Sequence, residues 1–384
     1  VKIAVGGVHA SVAPAEVIAD PNVDLVVRHE GEYAFLDVIE RWAQGDEALD
    51  VPGTTVRIDR EIVHHPPRPR IMDLDALPFP ARDLFPMHLY KAGLAFPPHI
   101  RLRTLMYSSR GCPNQCTFCA SSTVWGNRRW AMRSATNVLD EVEEVVERFD
   151  IHGFEFVDEL MTLDKKRLAD ICAGIDARGL HKIRWVGSST VNQIDYETTR
   201  MMKESGCTML HLGVESGSPE IRKRLNKRIT NEEIVNAFEA AHKAHLRTTA
   251  CIMIGSPGET EATVQETIDL MKRIRPHKIA FNIVTPYPGT AIYEEFGLSD
   301  KALDWDEAFS SDPDTPEQAV IFYNVSGLPD EELQRLWSKF RREVELSPRN
   351  LLNLQMTVNR LTNARNWRHL WHNFRGAIKI LFDR

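Results

Sequence analysis

Three cysteines with three and then two residues between them constrain this chain more than any other feature: Cys112, Cys116 and Cys119, in the stretch Ser109-Arg110-Gly111-Cys112-Pro113-Asn114-Gln115-Cys116-Thr117-Phe118-Cys119-Ala120. In so short a loop the thiolates can converge on one point, and thiolate sulfur is the ligand that iron-sulfur clusters and zinc prefer. A structural zinc site takes four protein ligands, and a four-iron cluster ordinarily takes four cysteines. The loop offers three. Closed zinc would need Cys172, Cys207, Cys251 or a histidine brought in from afar. A cluster on three thiolates would keep one iron open for a substrate.

The other cysteines are scattered, so the pattern reads as metal chemistry in a reducing compartment and not as a disulfide framework. A net charge of -7 argues against a broad nucleic-acid-binding surface. No long apolar run spans a membrane, and a cytoplasmic location follows as the expectation. The first residue is Val1, within an apolar strand-like run, and is read as a trimmed start with sequence missing upstream.

Val1 to Val5 reads as a strand ending in Gly6-Gly7-Val8-His9-Ala10, followed by a short helix around Pro14 to Ala19. A buried strand, Val23 to Val27, precedes an amphipathic helix, Tyr33 to Trp42, with Phe35, Val38, Ile39 and Trp42 on one face. Strand, helix, strand, helix is a doubly wound pattern, and Gly-Gly after a strand lets backbone approach a ligand. Val56 to Val63 reads as a hairpin turning at Asp59-Arg60. Proline is dense from Pro66 onward, which marks a linker over 66–100.

From residue 101 to 300 the chain alternates short apolar strands with amphipathic helices. The strands are Thr104 to Ser108, Phe154 to Val157, Ile183 to Val186, Met209 to Val214, Thr248 to Ile254 and Lys278 to Val284, and Val138 to Phe149 is one of the helices between them. Six such units make a parallel sheet, open or curled. Polar or glycine-rich clusters follow every strand: the cysteine loop, Asp158-Glu159, Ser188 to Asn192, Glu215 to Ser218, Gly255 to Glu259, and Thr285 to Thr290. In α/β barrels, chemistry sits at those strand ends.

The cysteine loop, with Phe118 before its last cysteine, resembles the signature of the radical S-adenosylmethionine (SAM) enzymes. Gly6-Gly7-Val8-His9-Ala10 and Val27-Arg28-His29-Glu30-Gly31-Glu32 resemble the last part of the cobalamin-binding domain that precedes many of them. The Leu-Asp, Leu-Pro and Pro-Ala-Arg wording of Leu74 to Arg82 recurs between those two domains. His29 departs from a glycine common in relatives. The resemblance implies an α/β fold with a partial (β/α)6 barrel over 101–300. Before it come the C-terminal part of a Rossmann-like cobalamin-binding domain, 1–65, and the linker, and after it a helical region, 301–384.

The resemblance further implies a 4Fe-4S cluster on Cys112, Cys116 and Cys119. It puts SAM against Phe118, Ser121, Asp158, Glu159, Glu215, Ser216, Ile252 and Gly255, and cobalamin against Gly6, Gly7, His9 and Glu30. Ile252 and Ile254 are candidates for an apolar shelf under adenine. Capping of a following helix is the plainer role for Glu215 and Glu259. Relatives often carry an arginine where this chain has Thr190, so the donor to the SAM carboxylate would be another cation, Lys227 or Arg110.

The implied activity is methyl transfer to an unactivated carbon of a small or lipid-like molecule, fed by an external donor such as flavodoxin or ferredoxin. The alternatives are a cobalamin-containing cyclase or rearrangement enzyme, and a non-catalytic iron-sulfur protein for electron transfer or regulation. Trp125, Trp130, Tyr287 and Tyr293 are candidate pocket residues. Asp300 to Pro316 reads as an acidic loop and Asp330 to Glu345 as a helix with Leu333, Leu336, Trp337 and Phe340 on one stripe. Asn359 to Arg384 mixes basic and aromatic residues, which suits packing on the parent domain and leaves peripheral contact with a membrane surface as the second reading.

Overall fold

A strand that alternates between two packed faces is apolar throughout, and Leu25-Val26-Val27 is such a run. In the computed structural model, which describes residues 1–93, 95–298 and 321–345, these residues form β2 (Leu25–Val27), paired in parallel with β1 (Ala4–Val5). Leu25 and Val27 pack with Ala34 and Val38, and Val26 packs with Ala10 and Ile18. β3 (Thr54–Ile58) and β4 (Glu61–His64) extend the sheet antiparallel. Their turn falls at Asp59 and Arg60, with φ of 48° and 73°, the paired left-handed residues that a two-residue hairpin loop needs.

The helix after β2 spans Glu32–Ala43, and its packing face differs from the expected one. Val38 is buried, but Phe35 and Ile39 remain exposed. Apolar residues occupy most of this helix's circumference, so periodicity did not single out a face; the small Ala34 marks the one that packs. Among the described residues, 1–77, 109–133 and 286–298 belong to this first unit.

The second unit comprises 78–108, 134–285 and, among the described residues after them, 321–345. It contains β5 (Arg103–Met106), β8 (Gly153–Phe156), β9 (Arg184–Thr190), β10 (Cys207–Glu215), β11 (Arg247–Ile254) and β12 (Lys278–Ile283). The short β6 (Ser109–Arg110) and β7 (Ala131–Met132) pair with each other in the first unit. The six strands lie parallel in the order β5, β8, β9, β10, β11, β12. Neighbours in space are successive in the chain, so winding never reverses, as it would in a doubly wound sheet. All six expected strands are present.

Helices follow the expected stripes. Ala135–Phe149 starts at Ser134, whose side chain accepts from the Asn137 amide, and buries Val138, Leu139, Val142 and Val145. Asp330–Phe340 buries Leu333, Leu336 and Phe340, and Phe281 of β12 stacks on Trp337 and Phe340 at 5.4 and 4.9 Å. The proline-rich stretch is more than a spacer. Arg82 is buried against Glu141 at 2.5 Å, and Phe96 and Ile100 pack on Val186 and Met209. Among the described residues, no helix is long and apolar enough to cross a membrane. The acidic loop to Pro316 and the basic, aromatic tail from Asn359 lie outside the described residues.

Candidate active site

Gly111 opens the cysteine loop at φ 88°, and a Cβ there would sit 2.3 Å from the carbonyl oxygen of Arg129. Only glycine fits. Cys112 and Cys116 are half-buried and Cys119 is exposed, and all three line one small cavity with Asn114, Gln115, Ser121, Ser122 and Arg128. Phe118 is half-buried, and Ser121 begins the helix Ser121–Val124. Thr123 Oγ1 donates to the Gly289 carbonyl at 2.6 Å, and Ile292 N donates to the Thr117 carbonyl at 3.1 Å.

The donor set fits an iron-sulfur cluster. The three cysteines line one cavity, and the positive charge of Arg128 on its wall suits an anionic, thiolate-bound body. Among the described residues, no group of three or more His, Cys, Asp or Glu is placed to hold a single metal ion. The remaining cysteines are different. Burial pushes the thiols of Cys172 and Cys251 up to about 11 and that of Cys207 further up, so all three stay protonated at neutral pH.

The candidates after β1 and β2 separate into two kinds. Gly6, Gly7 and His9 are exposed, with Gly7 at φ 99° and His9 Nε2 4.0 Å from Glu16. Glu30 faces inward. Arg70 at 2.9 Å, Arg110 at 3.1 Å and the Ile71 amide at 2.8 Å hold its carboxylate. Its expected place against cobalamin therefore gives way to an internal ion-pair network. Trp125 lies under Arg70 and Arg110, at 5.2 and 5.5 Å, which makes it part of that network.

At the strand ends of the second unit, Asp158 is 2% exposed and accepts from Ser108 N at 2.7 Å and Ser108 Oγ at 2.6 Å. Arg167 donates to the Ser108 carbonyl at 2.8 Å. Asp158 thus braces the end of β5, while Glu159 beside it is half-buried.

Glu215 ends β10 at φ 66°, where the pairing register slips between Gly213 and Glu215. Its Oε1 accepts from Lys227 Nζ at 3.1 Å. A Cβ on Gly213 would meet Glu215 Oε1 at 2.6 Å and Lys227 Nζ at 2.8 Å, so the missing side chain makes room for the pair. A strained, buried carboxylate at a strand end is a feature of functional sites. Ser216 is buried and bonded to Thr267 Oγ1 at 3.2 Å and to the Ser218 amide at 3.1 Å.

Ile252 and Ile254 point into the helix-covered core, and the half-buried Cys251 and Met253 take the opposite face. The expected adenine shelf is corrected by strand alternation. Gly255, at φ 86°, approaches Leu333. Glu259 turns back on its own loop. It accepts from Thr263 Oγ1 at 2.5 Å, and burial raises its pKa to about 7 against the pull of that bond and of the Ser256 and Gly255 amides. Both cations considered for the SAM carboxylate, Lys227 and Arg110, already hold a glutamate. Gly213, Arg70 and Arg167 carried no signal of their own; the expected Glu215 was the pointer to Gly213 and Lys227.

Residues 106–271 match the model of the Radical SAM superfamily. The chain is 35% identical over 82% of its length to an uncharacterised methyltransferase of Pyrococcus horikoshii, covering 67% of that protein. It is 27% identical over 76% of its length to the anaerobic magnesium-protoporphyrin IX monomethyl ester cyclase of Cereibacter sphaeroides, but spans only 47% of it. A similar solved structure is the radical SAM methyltransferase TsrM of Kitasatospora setae with cobalamin and a 4Fe-4S cluster bound (TM-score 0.68, 15% identity, 99% of this chain and 81% of that one), a likeness of fold. The chain belongs to the radical SAM superfamily, on its methyltransferase-like branch. It is an enzyme whose family works with SAM and a 4Fe-4S cluster.

Proposed function

We propose that this enzyme transfers a methyl group from SAM to an unactivated carbon of a small or lipid-like molecule, with cobalamin as methyl carrier. The observation that carries the reading is the cavity that Cys112, Cys116 and Cys119 line together, apart from the three remaining cysteines. When bound, the cluster supplies the electron that cleaves SAM to a 5'-deoxyadenosyl radical, and cobalamin supplies the methyl group. Cys112, Cys116 and Cys119 would hold the cluster, and Phe118 and Ser121 would contact SAM. Glu215, steadied by Lys227, would accept hydrogen bonds from the ribose or the ammonium of SAM; Glu159, Ser216 and Gly255 would line the same cofactor. Gly6, Gly7 and His9 form the exposed edge that would face cobalamin, where bare backbone admits a close ligand.

Cyclase chemistry is the second reading, favoured by the similarity to the magnesium-protoporphyrin ester cyclase. An external one-electron donor such as flavodoxin or ferredoxin completes either cycle. Anaerobic reaction with methyl-labelled SAM, cobalamin and reductant distinguishes them. Methyl transfer puts label into a product; cyclase chemistry forms 5'-deoxyadenosine and no methylated product. A reduced, cluster-loaded protein that consumes no SAM contradicts both and favours an electron-carrying role.

A further inference from the structure

The loop Arg28-His29-Glu30-Gly31-Glu32 follows a buried strand, yet His29, Glu30 and Glu32 each bond to a segment about eighty to one hundred positions later. His29 takes φ 63°, the left-handed region where glycine is favoured and histidine is tolerated. Its amide donates to Ser11 Oγ at 2.8 Å, and Ser11 Oγ donates to the Gly7 carbonyl at 2.8 Å. Its ring Nδ1 donates to the Thr123 carbonyl at 2.9 Å and lies 3.3 Å from that of Val124. Gly126 passes within 3.4 Å of the ring, counted from a Cβ it lacks.

Glu30 takes the other end. Its side chain is 5% exposed and that of Arg70 is 3% exposed. Arg110, two residues before Cys112, pairs with Glu30 at 3.1 Å and with Glu32 at 2.6 Å. Arg70 also donates to the Trp125 carbonyl at 3.1 Å. One corner of chain therefore grips the cysteine loop in front of its first cysteine and behind its last, and is tied by Ser11 to the Gly6-Gly7 edge.

We propose that His29 and Glu30 are positioning residues that set the cysteine loop and transmit the state of the Gly6-Gly7 edge to it. Removing the Glu30 charge leaves the buried guanidinium of Arg70 without its carboxylate and Arg110 with Glu32 alone, which costs more than the lost bond. The loop would then sample geometries in which the three sulfurs no longer face one body. The proposal rests on the reading that this loop holds a cluster.

The test compares wild type with Glu30→Gln and His29→Gly. Hydrogen exchange in the cluster-free protein should quicken by about tenfold or more across 109–126 in either variant, with the six-stranded sheet unchanged. After loading with iron and sulfide, the reduced cluster of each variant should show an altered electron paramagnetic resonance signal and faster iron loss to a chelator. If Glu30→Gln does not fold, His29→Gly decides. Unchanged exchange over 109–126, or a rise spread evenly over the whole chain, overturns the proposal. A wild type that takes up no cluster overturns the functional reading instead, and exchange on the cluster-free protein still decides the positioning role.

Discussion

His29 and Glu215 are both non-glycine residues in the left-handed region, at φ 63° and 66°, after buried parallel strands. The carboxylates at these two corners are used in opposite ways. Glu30, beside His29, is held by two guanidinium groups and an amide. Glu215 has, among the described residues, one ion pair, with Lys227 on Oε1. A carboxylate surrounded by donors is architecture; a strained one with a single partner retains capacity to accept from a ligand. The comparison separates a group that shapes the cysteine loop from one that would touch a cofactor.

The largest expected effect lies on the first side of this comparison. Gly111→Ala forces a Cβ to within 2.3 Å of a backbone oxygen at φ 88°, so the loop cannot close. Reconstituted protein should keep less than about a tenth of the wild-type iron, since a strained backbone clash of this kind does not relax. Iron binding near the wild-type level would show that the loop has another closed form.

Glu259 gives a third strand-end carboxylate, one in which burial favours the protonated form. Its folded pKa of about 7 lies above the ordinary glutamate value of 4.5, so the folded state binds more protons between these values. Stability from this group is present below about pH 4.5 and is lost as pH rises to about 7, a change on the order of 3 kcal/mol. Glu259→Gln should flatten that part of the pH profile in chemical unfolding. An unchanged slope would mean that other groups cause it.

Glu215→Gln should weaken SAM binding by about 10- to 100-fold, the worth of a charged hydrogen bond, while the unfolding midpoint moves little. Glu30→Gln should lower the unfolding midpoint and weaken SAM binding less than Glu215→Gln does. Equal losses of SAM affinity in both variants would erase the distinction between the corners. The smallest effect is Gly213→Ala. Its Cβ meets only side-chain ends, which can swing away, so it should split the Glu215–Lys227 pair at a cost of about 1 kcal/mol and weaken SAM binding less than Glu215→Gln does.

Much of this was legible in the residues. Period-two and period-3.6 patterns located all six strands and the helix stripe from Val138 to Val145, and the cysteine spacing located the loop. Asp59-Arg60 announced its turn. What was hidden has physical causes. Ala250 to Ile254 is apolar throughout, so the residues that face the helices cannot be read from the pattern, and Ile252 lies on the side opposite to the expected one. Glu30 is set against cobalamin by the resemblance alone; its ion-pair partners stand 40 and 80 positions away, and local pattern carries no record of such pairs. His29 was visible as a departure from glycine; that it keeps the glycine conformation and holds it by ring bonds required the fold.

The central claim is that Cys112, Cys116 and Cys119 hold a cluster with a corner open to SAM. It is tested most directly by the electron paramagnetic resonance spectrum of the reduced, iron- and sulfide-loaded protein with and without SAM. The account predicts a 4Fe-4S signal that shifts when SAM is added and is absent when the three cysteines are replaced by alanine. A protein that takes up zinc in place of iron, or a cluster signal indifferent to SAM, would contradict it.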